Sequence, residues 1–163
     1  MNNKNNLVAG KILITIFVFF CFYYHHFKDI GWFPVIDNFN LAIHEAGHPL
    51  FALIHDRLDV YGGTFLQLLM PLVFVRHFFI HEQFTAYNFS LIWFFENIFN
   101  VARYIQDARV TALPLAGHGD RLHDWNTILG RWDLLQYDVM IGNILIFIST
   151  ISIIFIYLRF IKS

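Results

Sequence analysis

The sequence predicts an all-α fold, namely a polytopic membrane helix bundle of about five hydrophobic helices plus a short interfacial helix. Hydrophobic residues make up 57% of the 163 residues and charged residues only 14%. So few charges could hardly cover a water-soluble surface. The hydrophobic residues also fall into long runs separated by short polar stretches, which is the pattern of helices that cross a bilayer. The net charge of -1 argues against a nucleic-acid partner.

The hydrophobic runs define the elements of a single membrane-embedded domain, residues 1–163. We expect hydrophobic helices with the approximate bounds 7–27, 39–55, 64–81, 84–106 and 139–160. No small-residue cleavage site follows the first run, so we interpret it as an uncleaved span. Asn38 or Asn40 is the expected cap of the second helix. Glu96 and Asn97 in the fourth helix should face the bundle, because polar groups in a membrane turn away from lipid.

The stretch 106–138 is the most polar part of the chain. Leu122, Trp125, Leu129 and Trp132 recur in it at helical spacing, which predicts a short amphipathic helix. This helix should lie in the membrane interface or fold back under the bundle. The distribution of Lys and Arg favours a cytoplasmic N-terminus. We therefore expect a multi-pass integral membrane protein in contact with the lipid bilayer.

One hydrophobic helix carries the pattern H-E-x-x-H as His44, Glu45, Ala46, Gly47 and His48. Residues four apart lie above one another on a helix, so His44 and His48 can direct two imidazoles at one metal ion. Glu45 is displaced to the side, where its carboxylate can reach a water molecule on the open position of that metal. Two His ligands with an adjacent Glu as general base are typical of Zn²⁺ hydrolases.

These residues predict a membrane-embedded, zinc-dependent hydrolase, a metallopeptidase that cuts a peptide bond at or within the membrane. Glu45 is the predicted catalytic residue and would activate a zinc-bound water molecule. The substrate would be a membrane protein or peptide. Two alternatives stay open: a metal-dependent enzyme that modifies lipids, of the hydrolase or di-iron oxidase type, and a non-catalytic membrane protein that binds a metal.

A zinc site of this type needs a third protein ligand. The candidates in or near the polar stretch are His118, His123, Asp107 and Asp124. His123 is the preferred third ligand, with Asp107 as the alternative at the end of the fourth helix. Asp124 would cap a helix or support the ligands from outside. Asn100, on the same helical face as Asp107, is the second predicted supporting residue.

Several neighbouring residues bear on this prediction. Pro49 directly follows the second ligand and removes a helical amide, so we expect a kink just past the motif. Gly47 should let another backbone approach closely.

His77 and His81 are also four apart, but Arg76 beside them disfavours a cation, so we interpret them as interfacial. We expect His25 and His26 to be solvent-exposed histidines at the other membrane interface.

The motif within a hydrophobic helix resembles the integral-membrane zinc metalloproteases known as site-2 proteases. This resemblance implies a multi-pass fold, Zn²⁺ held by His44 and His48, and Glu45 as the base. In that family an Asp of a later helix is the third ligand, within an Asp-Gly motif; Asp107 here is not followed by Gly.

The stretch 43–131 also resembles a group of small bacterial membrane proteins, and this resemblance implies the bacterial cytoplasmic membrane as the location. The elements that carry this second resemblance are Gly62-Gly63, Met70-Pro71-Leu72, Asp107-Ala108-Arg109, Leu113-Pro114-Leu115 and His123-Asp124-Trp125.

Overall fold

The computed structural model describes residues 2–28, 32–113 and 123–163. These residues form six α-helices and contain no β-strand, which confirms the predicted all-α class. The helices are α1 (Asn2–Phe27), α2 (Pro34–Ala52), α3 (Asp59–Ile80), α4 (Phe84–Gln106), α5 (Asp124–Arg131) and α6 (Asp138–Lys162). Short 3₁₀ turns, Asp56–Leu58 and Leu135–Tyr137, lead into α3 and α6.

Within the part of the chain that the structure describes, three segments are long and apolar enough to cross a membrane: Asn5–Phe27, Asp56–Ile80 and Leu135–Lys162. This finding is compatible with a membrane location. All five predicted hydrophobic helices exist, but α2 and α4 do not reach the apolarity of a span because buried polar side chains follow one face of each. Glu96 and Asn97 of α4 are each 0% exposed, as the sequence predicts.

Helix α4 is the centre of the bundle, packing on α3 and α6, while α2 packs most extensively on α3. The main apolar core joins α1, α4 and α6, with Cys21, Ile92, Phe99, Ile153 and Phe160 all nearly inaccessible. The outer faces of these helices leave large apolar side chains exposed, among them Leu13, Phe19, Phe147 and Phe155. Such a surface suits contact with lipid better than contact with water.

The start of α2 differs from the prediction. The helix begins at Pro34 rather than near residue 39, because proline suits the first helical position. The Asp37 carboxylate then accepts a hydrogen bond of 2.6 Å from the Phe33 amide. Asn40 is therefore inside the helix and buried, and the prediction that Asn38 or Asn40 caps it is wrong. The helix continues through Pro49 and ends three residues later.

The predicted close approach at Gly47 is confirmed. A Cβ atom placed on Gly47 would overlap the backbone carbonyl of Gly62, and one on Gly62 would overlap the carbonyl of Gly47. A Cβ atom on Gly63 would lie 2.5 Å from Nε2 of His44. Helices α2 and α3 thus cross backbone to backbone at the metal motif, and Gly63 leaves room for the first histidine.

The remaining histidine pairs divide into exposed and buried residues. His77 and His81 are both exposed at the end of α3, which agrees with an interfacial location. His26 is exposed as expected, but the side chain of His25 is only 2% exposed and faces Glu96. The expectation that the side chain is exposed to solvent is therefore wrong for His25, because α1 packs this side chain against α4.

Helix α5 folds back against the bundle and contacts α3 and α4. Leu129 is 2% exposed and packs with Val101, Ile105 and Ala108. This apolar contact fixes the start of α5, and with it Asp124, beside the motif helix.

Candidate metal centre

The side chains of His44 and His48 point from α2 toward the start of α5. Their Nε2 atoms lie 3.0 Å and 3.3 Å, respectively, from the same carboxylate oxygen, Oδ2 of Asp124. All three residues are buried. One ligand atom from each lies within 4.8 Å of the others. The structure thus assembles two imidazoles and one carboxylate into a group that could hold a metal ion.

The opposite ring nitrogens of the two histidines also face oxygen atoms. Nδ1 of His44 lies 3.0 Å from Oε1 of Gln67, and Nδ1 of His48 lies 3.0 Å from the backbone carbonyl of Asp59. A neutral imidazole carries one N–H, which it can donate to only one side. Donation from Nδ1 to these acceptors leaves the Nε2 lone pairs directed at Asp124. A cation between the two lone pairs and the carboxylate would satisfy all three groups. Histidines that bind metals in proteins commonly donate their other ring N–H to an oxygen outside the ligand set in the same way.

The separations match the size of a metal site. Donor atoms about 2.0–2.2 Å from Zn²⁺ at tetrahedral angles lie about 3.3–3.6 Å from one another. The Nε2–Oδ2 distances of 3.0 Å and 3.3 Å are close to this range. The residues present could therefore hold a metal ion through two nitrogens and one oxygen.

Asp124 is held in place by its backbone. It is the first residue of α5, and its amide donates a hydrogen bond of 3.2 Å to the hydroxyl of Tyr104 on α4. Burial raises the pKa of Asp124, but the imidazoles of His44 and His48, whose Nε2 atoms can donate to the carboxylate when no metal is bound, outweigh burial and hold that pKa below its usual range. The carboxylate is therefore ionised at neutral pH, as a metal ligand must be.

His123, the predicted third ligand, occupies the neighbouring position. Its Nδ1 accepts a hydrogen bond from the Asn126 amide and so caps α5, while its Nε2 lies 3.3 Å from Asp107. Burial lowers the pKa of His123, so its ring is neutral at pH 7. The two adjacent residues have exchanged the expected roles: the histidine caps the helix and the carboxylate faces the His pair. A ligand role for His123 stays a prediction, and the geometry favours Asp124.

Asp107, the alternative ligand, is engaged by the turn after α4. Its two carboxylate oxygens accept hydrogen bonds from the amides of Ala112 and Leu113, at 2.9 Å and 3.0 Å. Asn100 donates to Asp37 and Glu96, so the structure places it in a different polar cluster. His118, the remaining candidate, lies outside the described residues.

Glu45 is half-buried on α2, next to His44. The charges of Asp124 and Glu45 both act on the hydroxyl of Tyr104, so Glu45 lies within electrostatic range of the metal group. The Tyr104 ring itself contacts His44 and His123, with centroid distances of 5.8 Å and 4.1 Å. Tyr104 is therefore part of the wall of the site.

Three residues of the site were not predicted from the sequence, namely Gln67, Asp59 and Tyr104. Gln67 is a lone amide in an apolar helix, and such a residue is expected to find a polar partner. Tyr104 lies between Asn100 and Asp107 at spacings of four and three, hence on one helical face with them. Asp59 contributes its backbone carbonyl and also a carboxylate oxygen 3.3 Å from Nδ1 of His48, across a helix contact that the spacing of residues does not reveal.

Comparison with protein-family models, with curated proteins and with solved structures found no match for this chain. The resemblance to site-2 proteases therefore stays a prediction, carried by the motif alone.

Replacing Gln67 with methionine is expected to weaken Zn²⁺ binding by about 10–100-fold, because His44 loses the acceptor that fixes its ring. Methionine keeps a similar volume, so the packing of α3 should change little. Competition with a chromophoric chelator measures the affinity. Gln136→Met, at an exposed position before α6, is the matched control. An unchanged affinity in the Gln67 variant would show that this hydrogen bond does not support a ligand.

Proposed function

We propose that this protein is a membrane-embedded, zinc-dependent hydrolase, and specifically a metallopeptidase that cleaves a peptide bond at or within the membrane. One observation carries the proposal: Nε2 of both motif histidines and a carboxylate oxygen of Asp124 converge, with Glu45 next to the first histidine. Two nitrogens and one oxygen from protein form the ligand set of several zinc peptidases, which keep a further position open.

Each group would then have a defined task. His44, His48 and Asp124 would hold the ion, which would supply Lewis acidity by lowering the pKa of water and polarising a carbonyl. Glu45 would take the proton of the attacking water and return it to the leaving amine. Tyr104 would hold Asp124 through the amide hydrogen bond. The three apolar helices would keep the site at the bilayer, where a membrane protein or peptide could reach it.

A di-iron enzyme has less support. Two metal ions that act together lie about 3.5–4 Å apart and share ligands. The other potential ligand group among the described residues uses Asp37, seven residues before His44 on the same helix. Seven helical residues correspond to about 10 Å, so the two groups cannot bridge a pair of ions.

The central test is the isosteric substitution Glu45→Gln. It should reduce cleavage by about 10²–10⁴-fold, since it removes the general base, while Zn²⁺ content stays at the wild-type level. Activity would be measured in proteoliposomes with a fluorescence-quenched peptide library, and Zn²⁺ by elemental analysis.

Glu82→Gln removes the same charge at an exposed turn and should leave cleavage unchanged. Full peptide cleavage by the Glu45 variant, or by chelator-treated wild type, would contradict the proposal. Cleavage of ester lipids without any peptide cleavage would favour the lipid-modifying alternative.

A further inference from the structure

A second group of ionisable side chains is buried where α1, α2 and α4 meet. We call it the His25 cluster; it consists of His25, Asp37 and Glu96. The side chains of His25 and Glu96 are 2% and 0% exposed, and Asp37 is 1% exposed. One ring nitrogen and one oxygen of each carboxyl group lie within 4.8 Å of one another. The proposed hydrolase reaction uses none of these residues.

The charges of this cluster need a partner. Two carboxyl groups side by side in a water-poor interior cannot both stay ionised without a cation between them; without one, they share a proton. Arg103, half-buried on α4, acts on Asp37 but supplies a single positive charge. The occupant of the cluster is therefore either a shared proton or a metal cation.

Amide groups fix both carboxylates in place. Asn100 donates to Oδ1 of Asp37 and to Oε1 of Glu96, both at 2.9 Å. Asn40 donates to Oε2 of Glu96 at 2.8 Å and is itself held by the Trp93 indole at 2.8 Å. Carboxylates that bind metals are commonly oriented by such outer hydrogen bonds.

The imidazole distinguishes the two possible occupants. Nε2 of His25 lies 3.2 Å from Oε1 of Glu96, and the ring stacks on Phe99 with a centroid distance of 4.7 Å. Its Nδ1 is buried and has no hydrogen-bond partner among the described residues. A proton shared by two carboxyl groups requires no imidazole. One imidazole with two carboxylates is a mixed ligand set suited to divalent transition metals.

We propose that the His25 cluster is a second metal site, which binds one divalent ion that accepts nitrogen and oxygen ligands, such as Mn²⁺ or Zn²⁺. It lies about 10 Å along α2 from the His44 group, by the seven-residue spacing, and is a separate mononuclear site. The ion would tie α1 to α2, which carries His44 and His48, and to α4, which carries the Tyr104 hydroxyl that holds Asp124. This proposal does not depend on the hydrolase activity.

Metal stoichiometry tests the proposal directly. Full-length protein in detergent would be dialysed to equilibrium against Zn²⁺ or Mn²⁺ and its metal content measured by elemental analysis. The wild type should bind about two ions per chain with at least one of the two metals. Glu96→Gln and Asp37→Asn should each bind about one, and so should a variant with His44→Ala and His48→Ala. Combining Glu96→Gln with both His substitutions should leave none.

Glu82→Gln is the control and should keep two ions, because it makes the same change at an exposed residue. Thermal unfolding would verify that each variant is folded. If the Glu96→Gln variant does not fold, the Asp37→Asn variant takes its place in the comparison. One ion per chain in the wild type, unchanged by Glu96→Gln, would overturn the proposal and assign a shared proton to the cluster. Loss of both ions in a folded Glu96 variant would also overturn it, since the sites would then not be separate.

Discussion

Replacing Asp124 with asparagine is expected to weaken Zn²⁺ binding by about 10²–10³-fold while the helices stay folded. Structural zinc sites with four ligands bind with about 10–16 kcal/mol, so one ligand corresponds to about 2.5–4 kcal/mol, and each 1.4 kcal/mol is tenfold. Asparagine keeps the shape of the side chain but removes the negative charge that faces both histidines. The backbone amide would still donate to Tyr104, which keeps the start of α5 in place.

Affinities from chelator competition on purified protein would test this result. Asp133→Asn is the matched control, because Asp133 is exposed just beyond α5 and its positive φ of 58° suits asparagine. His123→Ala and Asp107→Ala should reduce affinity much less than Asp124→Asn. If His123→Ala instead removed the metal and Asp124→Asn did not, His123 would be the third ligand and the side chains around it would have to rotate toward α2.

The local part of the site could be predicted from sequence. His44 and His48 share a helical face by their spacing alone, and the structure directs both at one point. The glycine at position 47 predicted a close helix contact without naming the partner, and Gly62 supplies it. Such inferences succeed because they depend on the geometry of one helix.

The third ligand could not be chosen in this way. His123 and Asp124 are adjacent, and which of them faces α2 depends on where α5 begins and how it rests on α4. Leu129 and the Tyr104 hydroxyl set that placement through contacts across the bundle. From the sequence, His123 was the expected ligand and Asp124 the expected cap or support, whereas in the structure the capping of α5 occupies His123.

The number of helices that could cross a membrane was also difficult to predict from the sequence. Hydrophobic runs located α4 and α6 to within two residues at each end, whereas α3 begins at Asp59, five residues before the predicted bound. They did not separate helices that contact lipid from helices that line a polar interior. Asp37 and Asn40 on α2 and Glu96 and Asn100 on α4 form the His25 cluster and its supports. These helices therefore satisfy their polar groups against each other, which a hydropathy profile does not record.

Introducing a methyl group at Gly47 is expected to destabilise the protein by about 2–3 kcal/mol and to weaken metal binding as well. The added Cβ atom would overlap the carbonyl of Gly62, and backbone atoms cannot move aside as a flexible side chain would. Helices α2 and α3 must then separate. Because α2 carries both histidines and α3 carries Gln67 and Asp59, separation would also break the hydrogen bonds at both Nδ1 atoms.

Thermal unfolding in detergent, followed by circular dichroism, would show a Tm lower by about 4–12 °C for Gly47→Ala, the range expected for a chain of this size. Gly130→Ala is the matched control, because a Cβ atom there meets nothing within 4 Å. Alanine in place of this helical glycine should be neutral or stabilising by up to about 1 kcal/mol. Equal Tm values for the two variants would contradict the backbone contact of α2 and α3. A lower Tm with wild-type metal affinity would show instead that the two histidines hold the ion without support from α3.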